Sequence, residues 1–321
     1  MTKITKITKD IDTAVSEIKS GNTVALPTET VYGLGADALN ENAVVKIFEA
    51  KERPRFNPLI VHVYETDWFE RYGTGIPEDV YRLAEKFSPG PITFIVKKKN
   101  IIPDIATAGN DTVGLRIPSH NMFREVIRLS GVPVCAPSAN RSGMISPTSA
   151  EEVIKELNGK ISFILDGGRC EVGIESTVIA FTEDEIKILR HGFITKEDIE
   201  SVTGKKTSDY SGRIISPGLI KSHYAPETPL YLTENLDKLI KYIPDKTGIL
   251  DFSGYGSPEE IAVNLYSELR KLDEGGYEKI IGEKIPDEGL GTAINDRLER
   301  ASRGKAKLTD GKIILSDKEN E

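Results

Sequence analysis

The sequence predicts a mixed α/β protein with two domains, and three observations support this fold class. The chain has 321 residues, about twice the usual size of one domain. Over residues 1–200, short apolar runs alternate with amphipathic stretches without a regular strand–helix–strand rhythm, which favours a twisted sheet of mixed parallel and antiparallel strands. The alternation fades over about 25 residues and then resumes, which predicts a second, smaller α/β domain.

Apolar runs predict eight strands in the first domain. They are Thr23–Pro27, Pro58–Tyr64, Pro91–Lys97, Thr112–Pro118, Val132–Ala136, Ile161–Leu165, Thr177–Phe181 and Glu185–Arg190. Apolar residues at helical spacing predict a helix over Glu78–Phe87 and another around Phe123–Ile127, which Gly131 ends. Ser149 and Glu152 form a capping-box pattern that begins a third helix.

The stretch Ser201–Thr228 is rich in glycine, serine, proline and lysine and shows no sustained period, so it is typical of a linker or a functional lid. We set the domain limits at 1–202 for the first domain, 203–228 for the linker and 229–321 for the second domain. The second domain has predicted strands at Gly248–Phe252 and Lys279–Lys284 and predicted helices at Pro258–Leu272 and Thr292–Arg303.

Composition excludes several classes of protein. The net charge is -8, from 42 lysines and arginines against 50 acidic residues, which speaks against a broad basic surface for nucleic acid. The polar start and the lack of a long apolar run predict no secretory signal and no membrane span, so we expect a cytoplasmic protein. Cys135 and Cys170 are expected to be free thiols, and the four histidines lack metal-ligand spacing.

Familiar nucleotide and hydrolase signatures are missing from the sequence. There is no phosphate-binding P-loop, no glycine-rich dinucleotide motif after a strand and no nucleophile elbow. Polar residues instead cluster at the ends of apolar runs, where functional loops usually lie.

The first cluster is LPTETVYGLGADA (26–38), in which Thr28, Glu29, Thr30 and Tyr32 follow an apolar strand. A plain turn with capping hydroxyls explains this segment as well as a binding site does.

The second cluster is KERPRFNP (51–58), where three cations end a helix. Lys51 and Arg53 could form a phosphate site, as a point charge and a bidentate fork. They could equally be a solvated cap that complements the helix dipole. Asn57 between two prolines favours a fixed loop.

The third cluster places Arg116 inside the apolar strand of VGLRIPSH (113–120). Because an unpaired buried charge is costly, Arg116 must meet a protein carboxylate or an anionic ligand. The fourth cluster, CAPSANRSGMISPT (135–148), contains Ser138, Asn140 and Ser146 in one loop. It suits close approach to an anionic ligand, with a merely solvated loop as the alternative.

Three further polar residues lie within or at the end of strands. His62 lies in LIVHV and could be a hydrogen-bonded core histidine, and Ser176 and Arg190 stand at strand ends in GIESTVI and ILRHG. Each signal is weak when taken alone.

Taken together and in this order, the motifs resemble the L-threonylcarbamoyladenylate synthase family, the YrdC-like proteins. The resemblance covers about residues 10–200, through the four clusters above, PGPITFIV, ESTVI and ILRHG. The segments SPGLIKSHYAP and EGLGTAINDRLERA look like the long, two-domain form of that family.

The resemblance implies both a fold and a reaction. The fold is a twisted mixed sheet with a large open cleft, followed by a small Rossmann-like domain. The reaction joins L-threonine, bicarbonate or CO2, and ATP into threonylcarbamoyl-AMP and pyrophosphate, as a nucleotidyltransferase. The product then serves, through a separate transferase, to modify the tRNA adenosine next to the anticodon, and no stable nucleic-acid binding or membrane contact by this chain is implied.

The resemblance also implies site residues. The catalytic set around the triphosphate is Lys51, Arg53, Ser138 and Asn140. The full ATP set is Lys51, Arg53, Asn57, Thr112, Ser138, Asn140, Ser146, Arg190 and Tyr224, and the threonine set is Thr30, His62, Arg116 and Ser176. Mg²⁺ is expected to arrive with ATP, without side-chain ligands from the protein. A hinged lid is expected in the linker, with Pro217, Gly218, His223, Tyr224 and Pro226 as its characteristic residues.

Two other functions remain open. A double-stranded RNA or tRNA-binding module could use the Lys51–Arg55 and Lys97–Lys99 clusters, although residues 1–215 hold 27 basic against 30 acidic residues. A carbamoyl-transfer domain of hydrogenase-maturation proteins is implied to share the fold, but the accompanying zinc-finger-like and acylphosphatase-like segments are not visible.

Overall fold

The computed structural model describes residues 4–212, 217 and 223–318. The chain divides into two compact units. The first unit is formed by Met1–Ser142 and Ser146–Ile220, and the second by Gly143–Ile145 and Lys221–Glu321.

The first unit consists of one large sheet and its helices. Its strands are β1 Lys6–Thr8, β2 Val24–Leu26, β3 Gly33–Asp37, β4 Ile60–His62, β5 Gly73–Thr74, β6 Ile92–Lys98, β7 Thr112–Arg116, β8 Val134–Cys135, β9 Phe163–Leu165, β10 Thr177–Phe181, β11 Ile186–Arg190 and β12 Thr207–Asp209. Its α-helices are α1 Ile11–Lys19, α2 Glu41–Lys51, α3 Phe69–Tyr72, α4 Glu78–Phe87, α5 Asp104–Thr107, α6 Asn121–Ser130, α7 Ala150–Leu157 and α8 Lys196–Thr203, and a short 3-10 helix covers Thr66–Trp68.

The strand order is β1-β9-β2-β3-β8-β4-β7-β6-β10-β11-β12, with β5 paired to β6. Parallel pairs such as β4–β7 and β6–β10 alternate with antiparallel pairs such as β6–β7 and β10–β11. The predicted mixed sheet is therefore confirmed.

The two faces of the central strands differ. Val61, Leu115 and Phe94 point into the main core, which is covered by helices. Their neighbours in the chain alternate to the opposite face, where Ile60 and Ile95 belong to a smaller apolar cluster. This second face is the one that carries the polar side chains described below.

Helix α2 shows how local sequence signals position a functional side chain. Asn40 caps its N-terminus by accepting the backbone N–H groups of Asn42 and Ala43. The helix ends at Lys51, and Glu52 takes the left-handed conformation with φ 54°. Lys51 is therefore the last residue of the helix, and Arg53 follows directly after the left-handed turn at Glu52.

The predicted linker is more structured than the sequence indicated. Helix α8 reaches Thr203, and residues Thr207–Asp209 form β12, which pairs in parallel with β11. A three-residue polar strand is too short to show a period, so the sequence pattern could not predict it. Gly218 of the expected hinge lies outside the described residues.

The second unit is an α/β domain with its own core. Its strands are β13 Leu230–Thr233, β14 Thr247–Leu250, β15 Lys279–Glu283, β16 Gly304–Thr309 and β17 Lys312–Asp317, and its helices are α9 Leu236–Ile240, α10 Pro258–Asp273 and α11 Leu290–Ala301. The order is β14-β15-β13-β16-β17, parallel except for the antiparallel edge strand β17. Tyr231, Leu236, Leu239 and Ile281 pack at the centre of a core cluster.

Two negative findings concern the described residues alone. No helix in this part of the chain is both long and apolar enough to cross a membrane. The same residues contain no group of three or more His, Cys, Asp or Glu side chains that could hold a metal ion. Cys135 and Cys170 are buried free thiols, as predicted, and burial raises the pKa of both.

Candidate active site

Strand register defines the two ends of the candidate site. His62 of β4 lies opposite Arg116 of β7, and Ile60 lies opposite Gly114. The β6–β7 register places Phe94 opposite Leu115, so that Thr93 stands level with Arg116. Neighbours in register share a face, which puts His62, Arg116 and Thr93 side by side at one end. Thr112 begins β7 four residues earlier, about 13 Å away.

Arg116 is buried and paired with a protein carboxylate. Its Nη2 atom donates to Oε1 of Glu29 at 2.7 Å and to Oγ1 of Thr30 at 3.0 Å. Oε2 of Glu29 accepts the backbone N–H of Ser119 at 3.1 Å. The Nε atom of Arg116 is buried and has no hydrogen-bond partner among the described residues. The carboxylate partner that the sequence left open is therefore present, while part of the guanidinium still lacks an acceptor.

His62 is a buried, neutral histidine beside this ion pair. Its Nδ1 lies 3.3 Å from the carbonyl oxygen of Val134, and its ring stands 5.0 Å from the ring of Phe123. Burial, and then the charge of Arg116, lower the pKa of His62 well below its ordinary value of 6.5. A neutral imidazole can donate or accept one hydrogen bond without adding charge.

Ser176, which directly precedes β10, lies at the same end of the site. Its Oγ lies 2.8 Å from Oγ1 of Thr93 and accepts Nη2 of Arg190 at 3.0 Å. Nε of Arg190 also donates to the carbonyl oxygen of Ser176 at 3.0 Å. The structure thus brings Arg190, predicted for ATP, into contact with a residue predicted for threonine.

Lys51 is almost fully buried, and its ammonium contacts the loop after β8. Nζ donates to the carbonyl oxygens of Ser138 and Asn140, each at 2.5 Å. Burial, and then the positive charge of Arg53, lower the pKa of Lys51 well below its ordinary value of 10.5. Lys51 therefore fixes the backbone of the loop that carries two other predicted site residues.

Arg53 and Asn57 form the neighbouring part of the site. Arg53 donates from Nε to the carbonyl oxygen of Asn57 at 3.3 Å and from Nη2 to that of Pro58 at 3.0 Å. Both side-chain amide atoms of Asn57 are buried without a hydrogen-bond partner among the described residues, as is Oγ1 of Thr112. Such polar atoms are uncommon in a native interior, and each needs a water molecule, an ion or a ligand as its partner.

Ser146 is buried, and its Oγ donates to Oε1 of Glu175 at 2.6 Å. Because Glu175 precedes Ser176, Ser146 lies toward the Arg116 end of the site. Most of the predicted ATP set forms one group through direct contacts or proximity in the chain: Lys51, Arg53, Asn57, Ser138 and Asn140. Two other members, Ser146 and Arg190, lie beside the predicted threonine set instead.

Sequence reasoning assigned no role to two buried glutamates, Glu29 and Glu175. Both are 5% exposed, and each directly precedes a hydroxyl residue of the predicted threonine set, Thr30 or Ser176. A glutamate directly beside an apolar run was the available signal, because such a residue needs a partner if it is buried, just as Arg116 does.

Tyr224 and His223 belong to the second unit. Their rings are 4.1 Å apart, Tyr224 packs 5.8 Å from the ring of Tyr266, and the Arg297 guanidinium lies 5.5 Å from the Tyr224 ring centre. Tyr224 is buried with φ 63°, a conformation that is unusual for a residue other than glycine. Its predicted ATP contact stays a prediction.

The chain matches two family models in succession. The model described as "Telomere recombination" (Sua5, YciO and YrdC) matches residues 16–192, and the "Threonylcarbamoyl-AMP synthase, C-terminal domain" matches residues 194–303. The threonylcarbamoyl-AMP synthase of Pyrococcus abyssi is 41% identical, covering 90% of this chain and 93% of its own. That of Bacillus subtilis is 40% identical, with coverage of 91% and 92%.

Solved structures are similar over the same span. The crystal structure of P. abyssi Sua5 complexed with L-threonine has a TM-score of 0.86 at 39% identity, covering 94% of this chain and 98% of that one. The HypF protein of T. kodakarensis shares the fold alone, with 22% identity, a TM-score of 0.51 and coverage of 58% of this chain but 24% of HypF. Both family models, the relatives and the fold agree: the chain belongs to the Sua5/YrdC family of threonylcarbamoyl-AMP synthases.

Proposed function

We propose that this chain is a nucleotidyltransferase that converts L-threonine, CO2 or bicarbonate, and ATP into threonylcarbamoyl-AMP and pyrophosphate. With bicarbonate as the carbon source, one water molecule is also released. The observation that carries the proposal is membership of the family over both units, at about 40% identity to relatives named for this activity.

The Arg116 end of the site suits the amino acid. The Arg116 guanidinium offers hydrogen bonds to a carboxylate, and the hydroxyl groups of Thr30 and Ser176 and the neutral ring of His62 surround the same position. The complex of the P. abyssi protein with L-threonine supports threonine as the amino-acid substrate.

The Lys51 end of the site suits the phosphates of ATP. Two of the three ammonium hydrogens of Lys51 are used by loop carbonyl groups, which leaves one for a ligand oxygen. Asn57 and Thr112 supply buried polar atoms that still need partners. Mg²⁺ would arrive on the phosphate oxygens, in keeping with its preference for oxygen ligands and retained waters.

The reaction then proceeds by addition and displacement. The threonine amine, after losing a proton, forms a C–N bond with CO2, and a carbamate oxygen attacks the α-phosphorus as pyrophosphate leaves. Orientation of the two substrates and neutralisation of phosphate charge are the main catalytic devices, since acyl and phosphoryl transfers of this kind gain most from positioned cations and dipoles.

The product has a mixed anhydride bond that water cleaves, which gives a physical reason for a lid in the linker. We propose that a separate transferase takes the product and modifies tRNA next to the anticodon. We also propose a cytoplasmic location, because ATP, threonine and tRNA are available there together.

One assay tests the proposal. The purified chain, given Mg-ATP, should release pyrophosphate only when both threonine and bicarbonate are present, and mass spectrometry should detect threonylcarbamoyl-AMP. Pyrophosphate release that ignores threonine, or no release at all, would contradict the proposed function.

The RNA-binding alternative finds little support in the geometry. Lys51 and Arg53 are buried at 1% and 6% exposure, so they do not form an open basic footprint. In the other predicted cluster, Lys98 pairs with Asp104 and Lys99 donates to the carbonyl oxygen of Glu70. Tight, salt-dependent binding of tRNA without ATP would revive this reading.

A further inference from the structure

We infer that Glu29 is a positioning residue that holds the Arg116 guanidinium in the orientation needed for the amino-acid carboxylate. The inference rests on the proposed function and adds to it a residue that determines how the amino acid is bound.

Glu29 is tied to the protein by both its side chain and its backbone. Oε1 accepts Nη2 of Arg116, and Oε2 accepts the backbone N–H of Ser119, three residues beyond the end of β7. The carbonyl oxygen of Glu29 accepts the backbone N–H of Val172 at 2.8 Å. Because three hydrogen bonds from two segments of the chain hold Glu29, its carboxylate has a defined position before any substrate binds.

Counting donors shows what this position does to Arg116. A guanidinium has five N–H donors, two of them on Nη2. Glu29 and Thr30 accept from Nη2, and the other donors are on Nε and Nη1. Nε is buried without a partner among the described residues. Glu29 and Thr30 therefore occupy both donors of Nη2, which leaves the N–H groups on Nε and Nη1 for the carboxylate of the substrate.

Charge alone does not explain this arrangement. A carboxylate beside Arg116 weakens the attraction of the guanidinium for a second carboxylate, so a site selected only for anion affinity would lack Glu29. The gain is orientation: a guanidinium fixed on one side binds a planar carboxylate with less loss of freedom.

The test is a double-mutant cycle with Glu29→Gln and Arg116→Lys, measured as pyrophosphate release over a range of threonine concentrations. In the otherwise unaltered chain, Glu29→Gln should raise the threonine KM at least tenfold and leave the ATP KM within twofold. In the Arg116→Lys background, the same change should raise the threonine KM by less than threefold, because lysine has no guanidinium for Glu29 to orient.

Asp79→Asn is the matched control. Asp79, on helix α4, is also a buried carboxylate of the first unit. It pairs with Arg82 of the same helix and with Lys205. Its loss should lower the melting temperature and leave the threonine KM within twofold. If Glu29→Gln does not fold, Glu29→Asp retains the charge one methylene further from Arg116 and should still raise the threonine KM.

The outcomes separate the two proposals. An unchanged threonine KM in a folded Glu29 variant, or equal effects in both Arg116 backgrounds, overturns the positioning role and leaves the proposed function intact. Failure of the unaltered chain to release pyrophosphate with threonine contradicts the proposed function and, with it, this inference.

Discussion

Two buried cations of the first unit are compensated in different ways. Burial, and then the neighbouring cation Arg53, disfavour the charged form of Lys51, whose ammonium is bonded only by neutral carbonyl oxygens among the contacts described above. Arg116 faces the full charge of Glu29 at 2.7 Å. The phosphate end of the site is therefore deficient in negative charge, whereas the amino-acid end is nearly neutral before substrate binds.

Replacing Arg116 with alanine should abolish threonine binding while ATP binding persists. We expect the threonine affinity to fall at least a hundredfold, measured by calorimetry. The change also leaves Glu29 buried without its partner, which costs about 3–5 kcal/mol of stability, so folding must be checked by circular dichroism. Arg128→Ala, which removes an exposed ion pair with Glu125, is the control. Unchanged threonine affinity would remove Arg116 from the site.

Replacing Lys51 with alanine should depress pyrophosphate release at least tenfold. The variant loses a phosphate donor and also the support of the loop that carries Ser138 and Asn140. Lys46→Ala on the same helix is the matched control, because Lys46 donates to the Gly21 carbonyl group and to Asn22, neither of which belongs to the candidate site. Near-normal turnover of the Lys51 variant would exclude Lys51 from the phosphate site.

His62 should make the stability of the protein depend on pH. Its pKa is lower in the folded state than in the unfolded chain, so the unfolded state binds more protons below pH 6.5. The free energy of unfolding should therefore be highest above that pH and fall as the pH drops, by at most about 1.4 kcal/mol per pH unit from this residue. In urea titrations, His62→Gln should flatten this dependence, and an unchanged dependence would contradict a neutral His62 in the folded protein.

At the level of residues, the polar clusters that follow apolar runs located the candidate residues, and the family resemblance supplied their expected roles toward ATP and threonine, which stay predictions. The sequence could state that Arg116 needs an anion but could not choose between a carboxylate and a ligand. The structure identifies Glu29 as the carboxylate that pairs with Arg116. The two residues lie 87 positions apart in the chain, so no local pattern could reveal this contact. Likewise, nothing in the local pattern indicates that Arg190 contacts Ser176.

At the scale of elements, predictions succeeded where periodicity was strong. Helix α4 has the predicted limits, and strands β6, β7, β10 and β11 begin within one residue of the expected positions. Strand β3 was missed because Gly-Leu-Gly carries little strand propensity, although its pairing with β2 and β8 holds it in the sheet. Hydrogen bonds to neighbouring strands therefore compensate for the low strand propensity of β3.

Helix α2 offers a test at this scale. Asn40→Ala removes the side chain that caps two backbone N–H groups, and should lower the free energy of unfolding by about 1 kcal/mol. Because the opposite end of the helix is held by Lys51, the KM values for threonine and ATP should stay within twofold. A large change in either KM would show that the cap influences the site.

At the scale of the whole molecule, each unit has its own apolar core. Composition and rhythm predicted two α/β domains, and the mixed sheet of the first was predicted from its lack of regular alternation. Strands β13, β16 and β17 of the second unit were not predicted. Strands β16 and β17 are partly exposed, and β16 contains two lysines in six residues. The order of strands in both sheets depends on long-range pairing that no local pattern records.

Truncation of the chain after Gly212 tests the lid. This truncation keeps β12, which pairs with β11 in the large sheet. A truncation at Ser201, where the predicted linker begins, would remove β12. The shortened protein should fold, as shown by a cooperative thermal transition, and should release pyrophosphate at least tenfold more slowly or lose its product to hydrolysis. Full activity with intact product would reject a lid in the linker.

The second unit is discontinuous in the chain, because it includes Gly143–Ile145. The Gly143 carbonyl oxygen accepts the backbone N–H of Ala225 at 2.9 Å, and that of Ile145 accepts Nη2 of Arg270 at 2.9 Å. A ribosome adding about 5–20 residues per second reaches Ala225 about 4–16 s after Ile145. During translation, the carbonyl groups of Gly143 and Ile145 therefore lack these two hydrogen-bond donors until the C-terminal segment has been synthesised.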